Sequence, residues 1–183
     1  MIELISFKYM RRSILITGVS GSGKSEISHK LKDLGYVTYD IDSIEELSRM
    51  VDKKTRQPVA YDHHNDREKV EKMDWIYDKE KLKTLIANQR NEVAFYCGIP
   101  FNLDELLPLF NTVIVLIASR DIIRQRLTTR TSNDFGKTAE VQDWVLNGKE
   151  GLESGLQAKG AIAVDANQDI NFVAKEILAR TEL

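Results

Sequence analysis

Eight consecutive residues constrain this chain more than any other feature: Gly18-Val19-Ser20-Gly21-Ser22-Gly23-Lys24-Ser25. They satisfy G-x-x-x-x-G-K-[ST] at every constrained position. Before them stands an apolar run, Ser13-Ile14-Leu15-Ile16-Thr17, and after them Ile27, Leu31 and Leu34 recur at i, i+4 and i+7. Strand, glycine loop and helix in that order predict backbone N–H groups curled inward on phosphate oxygens at the positive end of a helix. Lys24 is then expected to reach the β- and γ-phosphates of a nucleoside triphosphate, and the Ser25 hydroxyl to ligate Mg²⁺. An ordinary glycine-rich turn would need neither the lysine nor the serine. Gly18 through Ser25 is therefore the expected site of a nucleoside triphosphate and its Mg²⁺.

The rest of the chain alternates strand and helix signals. Gly35 suits a helix C-terminus, and Tyr36-Val37-Thr38-Tyr39 reads as a second strand running into Asp40-Ile41-Asp42. Ser43 with Glu46 makes a capping box, which predicts a helix through Leu47 and Met50. Residues 52–74 are crowded with charge and lack apolar periodicity, as expected of an insertion over the carboxyl edge of the sheet. Its His63 and His64 could contact an anionic acceptor, but no third ligand stands near them to complete a metal site. Asp78 can cap a helix carrying Leu82, Leu85 and Ile86, ahead of a strand at Val93–Cys97. Asn102 and Glu105 form another cap pair. Thr112–Ala118 is the most apolar run and should be a central strand, with Ser119 capping the helix after it. A polar loop at 131–137, an amphipathic segment from Thr138 to Gly148, a strand at Ala161–Val164 and a helix at Phe172–Ala179 complete the pattern.

Such alternation predicts an α/β fold: a five-stranded parallel sheet with helices on both faces and ligands at the carboxyl ends of the strands. A length of 183 residues, 42% of them apolar and 30% charged, suits one such domain over residues 10–183. Residues 1–9 read as an N-terminal extension without a signal-peptide pattern. A net charge of −2 argues against a surface that coats nucleic acid. The single Cys97 excludes an intrachain disulfide and is most simply a buried strand residue. With no apolar run long enough for a bilayer, a cytoplasmic protein with no membrane partner is expected.

Two further groups point to chemistry. Asp40 and Asp42 are one residue apart, so an extended chain would turn both to one face. There, one carboxylate (Asp40) could hold Mg²⁺ through water. The other could orient, or take a proton from, a hydroxyl that attacks the γ-phosphate. Arg126 and Arg130 share a helix face at i, i+4, just before the polar loop. Arginine's planar fork suits charge building on the equatorial oxygens of a transferring phosphoryl group. Arg120 and Arg124 read as a solvated face.

Taken together, the loop Gly18–Ser25, the strand-end Asp40-x-Asp42, Arg126-Leu127-Thr128-Thr129-Arg130 before a short loop, and a final strand with Asp165 resemble the small P-loop kinases. That group includes the adenylate, shikimate, gluconate and dephospho-coenzyme A kinases. The resemblance runs along nearly the whole chain. It implies a γ-phosphate transfer from Mg·ATP to a small-molecule acceptor, with residues 131–137 as a lid. No strand ends in a Walker B Asp; the third ends Cys97-Gly98-Ile99-Pro100. That departure keeps a rival open, in which the nucleotide switches a protein partner and turnover is slow.

Overall fold

The apolar runs of the sequence form the middle strands of a parallel sheet in this computed structural model, which describes residues 11–60 and 65–183. The proposed extension and His63 and His64 lie outside the described residues. In chain order the elements are β1 (Arg12–Thr17), α1 (Lys24–Asp33), β2 (Val37–Asp40), β3 (Ser48–Asp52), α2 (Arg67–Val70), β4 (Met73–Tyr77), α3 (Lys79–Ala87) and β5 (Val93–Cys97). They continue with α4 (Leu103–Leu106), β6 (Thr112–Ile117), α5 (Arg120–Thr129), α6 (Ala139–Asn147), α7 (Lys149–Ala158), β7 (Ile162–Asp165) and α8 (Ile170–Arg180). Five strands pair in the order β2-β5-β1-β6-β7, all parallel, as the alternation predicts.

β1 sits at the centre, and its alternation explains the two cores. Ile14 and Ile16 pack with Ile27, Leu31, Leu127 and Ile177 on one face of the sheet. Leu15, between them, packs with Tyr96, Leu82, Leu106 and Leu156 on the other. Removing a side chain as enclosed as Leu82, at 0% exposure, would cost about 2 to 5 kcal/mol. The burial pattern thus fixes β1 in register with β5 and β6, and the loop after β1 emerges at the carboxyl edge of its two neighbours.

Three local expectations are corrected. The helix expected from Ser43 to Met50 does not form. Residues 43–47 turn, with Glu46 in the left-handed region at φ 64° and Lys81 donating to its carbonyl at 3.2 Å. Ser48–Asp52 then pairs antiparallel with Met73–Tyr77 as a separate two-stranded sheet. Serine followed by glutamate three residues on fits a turn as well as a cap, and tertiary pairing decided between them. Leu34 is not on the buried face but is the C-cap residue of α1 and 47% exposed. Asn102 occupies the N-cap of α4 without capping it; its side chain bonds both the N–H and the C=O of Tyr77 instead, at 3.1 and 2.9 Å.

Helix α7 went unread because Gly151 and Gly155 lower its helix propensity, although Leu152 and Leu156 keep the i, i+4 spacing. Other local signals are met. Gly35 lies past α1 at φ 92°, and the bonds Gly35 N–H to Lys32 O and Tyr36 N–H to Leu31 O close that helix. Asp78 caps α3 through the amides of Glu80 and Lys81, and Ser119 caps α5 through Ile122.

Candidate active site

The loop Gly18–Ser25 leaves the end of β1 and enters α1. Gly18 holds φ 146°, and a Cβ there would stand 2.8 Å from both Leu116 O and Ser22 Oγ, so only glycine fits. The N-cap of α1 is Gly23, which offers no side chain to the helix, whereas α3, α5 and α8 are each capped by Asp or Ser. The amides that open α1 are therefore left without a capping side chain and face the loop's concavity. Lys24 Nζ donates to the carbonyls of Gly18 and Val19, at 2.7 and 3.2 Å, from inside the loop it would share with a triphosphate. Burial pushes its ammonium pKa down, Arg130 adds to that, and Asp42 opposes it more strongly than Asp40 does. Ser25 is exposed beside it.

Both arginines reach the loop. Arg126 spans two carbonyls, Ser22 O at 3.0 Å and Ala166 O at 2.9 Å, and so ties the loop to the turn after β7. Arg130 donates to Ser20 Oγ at 3.2 Å and to Phe135 O, with its guanidinium 6.0 Å from the Phe135 ring. They do not share a helix face, because α5 ends at Thr129 and Arg130 is an extended C-cap at ψ 147°. Chain direction after the helix, not helical spacing, brings the second arginine to the glycine loop. Arg120 and Arg124 pair with Glu150 and Asp143 at 2.9 and 2.5 Å, as a charged surface should. A groove beside the loop is lined by Gly23, Ile27, Arg126, Ala166, Gln168 and Val173.

The two aspartates part company. β2 ends at Asp40, so strand alternation no longer applies at Asp42, which lies in the following turn. Asp40 is exposed; Asp42 is half-buried and accepts Trp75 Nε1–H at 2.9 Å and the Tyr77 hydroxyl, both on Oδ1. Burial pushes the Asp42 pKa up, while Lys24, Tyr77 and Trp75 pull it down. Asp165 organises the turn after β7. Its carboxylate accepts the Asn167 amide at 2.9 Å and is held below its ordinary value chiefly by that bond. Cys97 is buried, its thiol pushed up to about 12 by desolvation, and is chemically quiet.

Sequence reasoning missed the residues that join Asn65 and Lys53 to the loop after α5. Asn65 donates to Asp134 O at 2.6 Å, accepts the Lys137 amide at 2.5 Å, and its carbonyl accepts the Thr138 hydroxyl at 3.1 Å. Lys53, Phe101, Trp144 and Phe135 then follow one another at 5.8, 6.0 and 6.4 Å, ending at Arg130. None of these residues carries a local motif. Asn65 and Lys137 stand 72 residues apart, and Lys53, Phe101 and Trp144 are likewise distant in sequence, so only the fold assembles them. Among the described residues no three His, Cys, Asp or Glu cluster to hold a metal by themselves, and no helix is long and apolar enough to cross a membrane.

Comparison with known proteins bears on the family and the fold. A protein-family model described as AAA domain matches residues 14–147. A nucleotide-binding protein of Coprothermobacter proteolyticus is 34% identical over 80 residues, which is 40% of this chain and 28% of that relative's length. Among solved structures, a shikimate kinase from Acinetobacter baumannii in complex with shikimate is similar at TM-score 0.62 and 18% identity, over 94% of this chain and 93% of that one. A gluconokinase from Sinorhizobium meliloti 1021 matches at 0.54 and 19%, over 93% and 91%. Deoxyadenosine kinase from M. mycoides with bound dATP matches at 0.55 and 18%, over 93% and 100%. At such identities the likeness is one of fold.

Proposed function

The chain belongs to the AAA domain family and has the fold of the P-loop small-molecule kinases, and from that premise we propose that it moves the γ-phosphate of Mg·ATP to the hydroxyl of a small-molecule acceptor. The observation that carries the reading is the uncapped start of α1 with Lys24 inside the loop and Asp42 clamped opposite it. Gly18, Val19, Ser20, Gly21, Ser22, Gly23, Lys24 and Ser25 would hold the triphosphate. The groove beside Gly23 and Arg126 would take the nucleoside. The residues present fit Mg²⁺ as an ion that arrives with the nucleotide: Ser25 and, through water, Asp40 would hold it, with phosphate oxygens completing the shell. Bound there, it would supply positive charge that neutralises the phosphates.

The chain's own residues do the rest. Lys24 leaves its two loop carbonyls for phosphate oxygens. Asp42 orients the acceptor hydroxyl and accepts its proton. Arg130 meets the charge that gathers on the transferring group, while Arg126 keeps the loop in shape from Ser22 to Ala166. The segment 131–137 acts as a lid, and residues 52–60 and 65–74 cover the acceptor side, so that water is kept from competing as acceptor. A cytoplasmic setting, with nucleotide and metabolite as partners, suits this reading.

The test is ADP release from Mg·ATP across a library of hydroxyl-bearing metabolites. A strong stimulation by one chemical class is the expected result. If no small molecule stimulates release and a protein fraction does, the nucleotide-dependent switch takes the place of this reading.

A further inference from the structure

Strand β5 ends at Cys97-Gly98, where the sequence offers no acid, and the structure gives a physical reason. A Cβ added at Gly98 would overlap the Tyr77 hydroxyl and stand 2.8 Å from Ile41 Cγ1. No residue with a side chain can occupy position 98 while Tyr77 stays in place. The space a strand-end carboxylate would fill at this edge of the sheet is filled by a phenol from β4.

That phenol is aimed. Trp75 and Tyr77 alternate on β4 and so project to one side of the strand. Their donors converge on a single atom, Asp42 Oδ1. Asn102 pins both backbone groups of Tyr77, and the Phe101 amide bonds Trp75 O at 2.7 Å, so β4 is fastened to the turn after β5. Among the described residues nothing donates to Oδ2. Two donors on one oxygen fix a carboxylate's position and plane while leaving its second oxygen available. Asp42 is also the acid that acts most strongly on the Lys24 charge.

We propose that Trp75 and Tyr77 are positioning residues that hold Asp42 Oδ2 at the point of transfer, so that a β2-end aspartate clamped from β4 takes the place of the missing acid at the end of β5. The inference rests on the phosphotransferase reading above. In the step it serves, the acceptor O–H proton passes to Asp42 Oδ2 and the acceptor oxygen bonds to the γ-phosphorus. The bond from that phosphorus to the β,γ-bridging oxygen breaks, and ADP leaves with the electron pair. The two-stranded sheet is then part of the catalytic scaffold and not a surface insertion.

The probe is Mg·ATP with water as the attacking hydroxyl, so no acceptor need be known. Asp42→Asn should lower kcat for ADP release on the order of a hundredfold. Tyr77→Phe, which keeps the ring beside Gly98 and loses only the donor, should lower kcat on the order of tenfold with KM for ATP within about twofold. Trp75→Phe should behave alike and serves where Tyr77→Phe folds poorly. Adding either change to Asp42→Asn should cost nothing more, because both act through that carboxylate. The chain has 2 tryptophans, so the Trp75 indole N–H resonance is assignable by comparison with Trp144→Phe, and it should move in Asp42→Asn without any nucleotide present. Wild-type kcat in both Tyr77→Phe and Trp75→Phe, with Asp42→Asn impaired, would overturn the positioning role and leave the phosphotransferase reading standing. Wild-type kcat in Asp42→Asn itself would remove Asp42 from the reaction and overturn both.

Discussion

The two halves of this site are built in opposite ways. The half proposed for the nucleotide is one unbroken stretch, Gly18–Ser25, which offers the uncapped start of α1 and one lysine. Its counterpart is assembled from afar: Trp75 and Tyr77 meet Asp42 across 33 and 35 residues, and Asn65 meets Lys137 across 72. A contiguous motif binds what all its bearers share, the triphosphate. A composite of distant side chains can be remodelled without disturbing it. The boundary between the halves is where Arg130 touches Ser20.

If that division is right, damage to the loop should be the most severe. Lys24→Ala is expected to abolish the rise in melting temperature that Mg·ATP gives by mass action, and to cut turnover on the order of a thousandfold. Differential scanning fluorimetry with and without nucleotide checks the first effect. A retained shift would mean that Lys24 does not enter the phosphate site. Next comes Asp40→Asn, which leaves the hairpin untouched. Turnover should drop on the order of a hundredfold, while ATP affinity stays within about tenfold, roughly 1.4 kcal/mol. Calorimetric titration beside steady-state kinetics separates those two quantities.

Arg130→Lys sharpens the boundary. The charge survives but the fork that spans Ser20 and Phe135 does not, so kcat should fall on the order of tenfold with little change in KM. Normal turnover in that variant would return Arg130 to the surface. The smallest effect is expected at Asn65. Asn65→Ala removes two side-chain bonds of a half-exposed residue, so turnover should change by only about two- to threefold. Amide exchange at Lys137 should nonetheless quicken markedly, because its N–H loses its partner. Unchanged exchange there would separate the lid from the acceptor side.

The same contrast explains what could be read from residues alone. The sheet was legible because its strands are short apolar runs, and β1, β5 and β6 are enclosed on both faces. Caps at Asp78 and Ser119 were legible because a cap is settled within three residues. Ser43–Glu46 carries the same kind of signal and misled, since Lys81 and the pairing of Ser48–Asp52 with β4 outweigh a weak local preference. Asp42 could be picked out by its distance from Asp40, but not the reason it differs from Asp40. That reason is two donors on β4, a strand for which the sequence gives no signal and whose first residues fall in the charged segment 52–74. Arg130 is singled out by its place before a polar loop, although the helix face invoked for it does not extend that far.

The claim that governs the rest is that the γ-phosphate goes to a small molecule. It is tested most directly by incubating the full chain with γ-labelled Mg·ATP and a small-molecule extract from which protein has been removed, then following the label by mass spectrometry. The label is expected on a hydroxyl-bearing metabolite, in amounts equal to the ADP formed, with little in inorganic phosphate. Label found only in inorganic phosphate, at a rate no extract alters, would contradict the account.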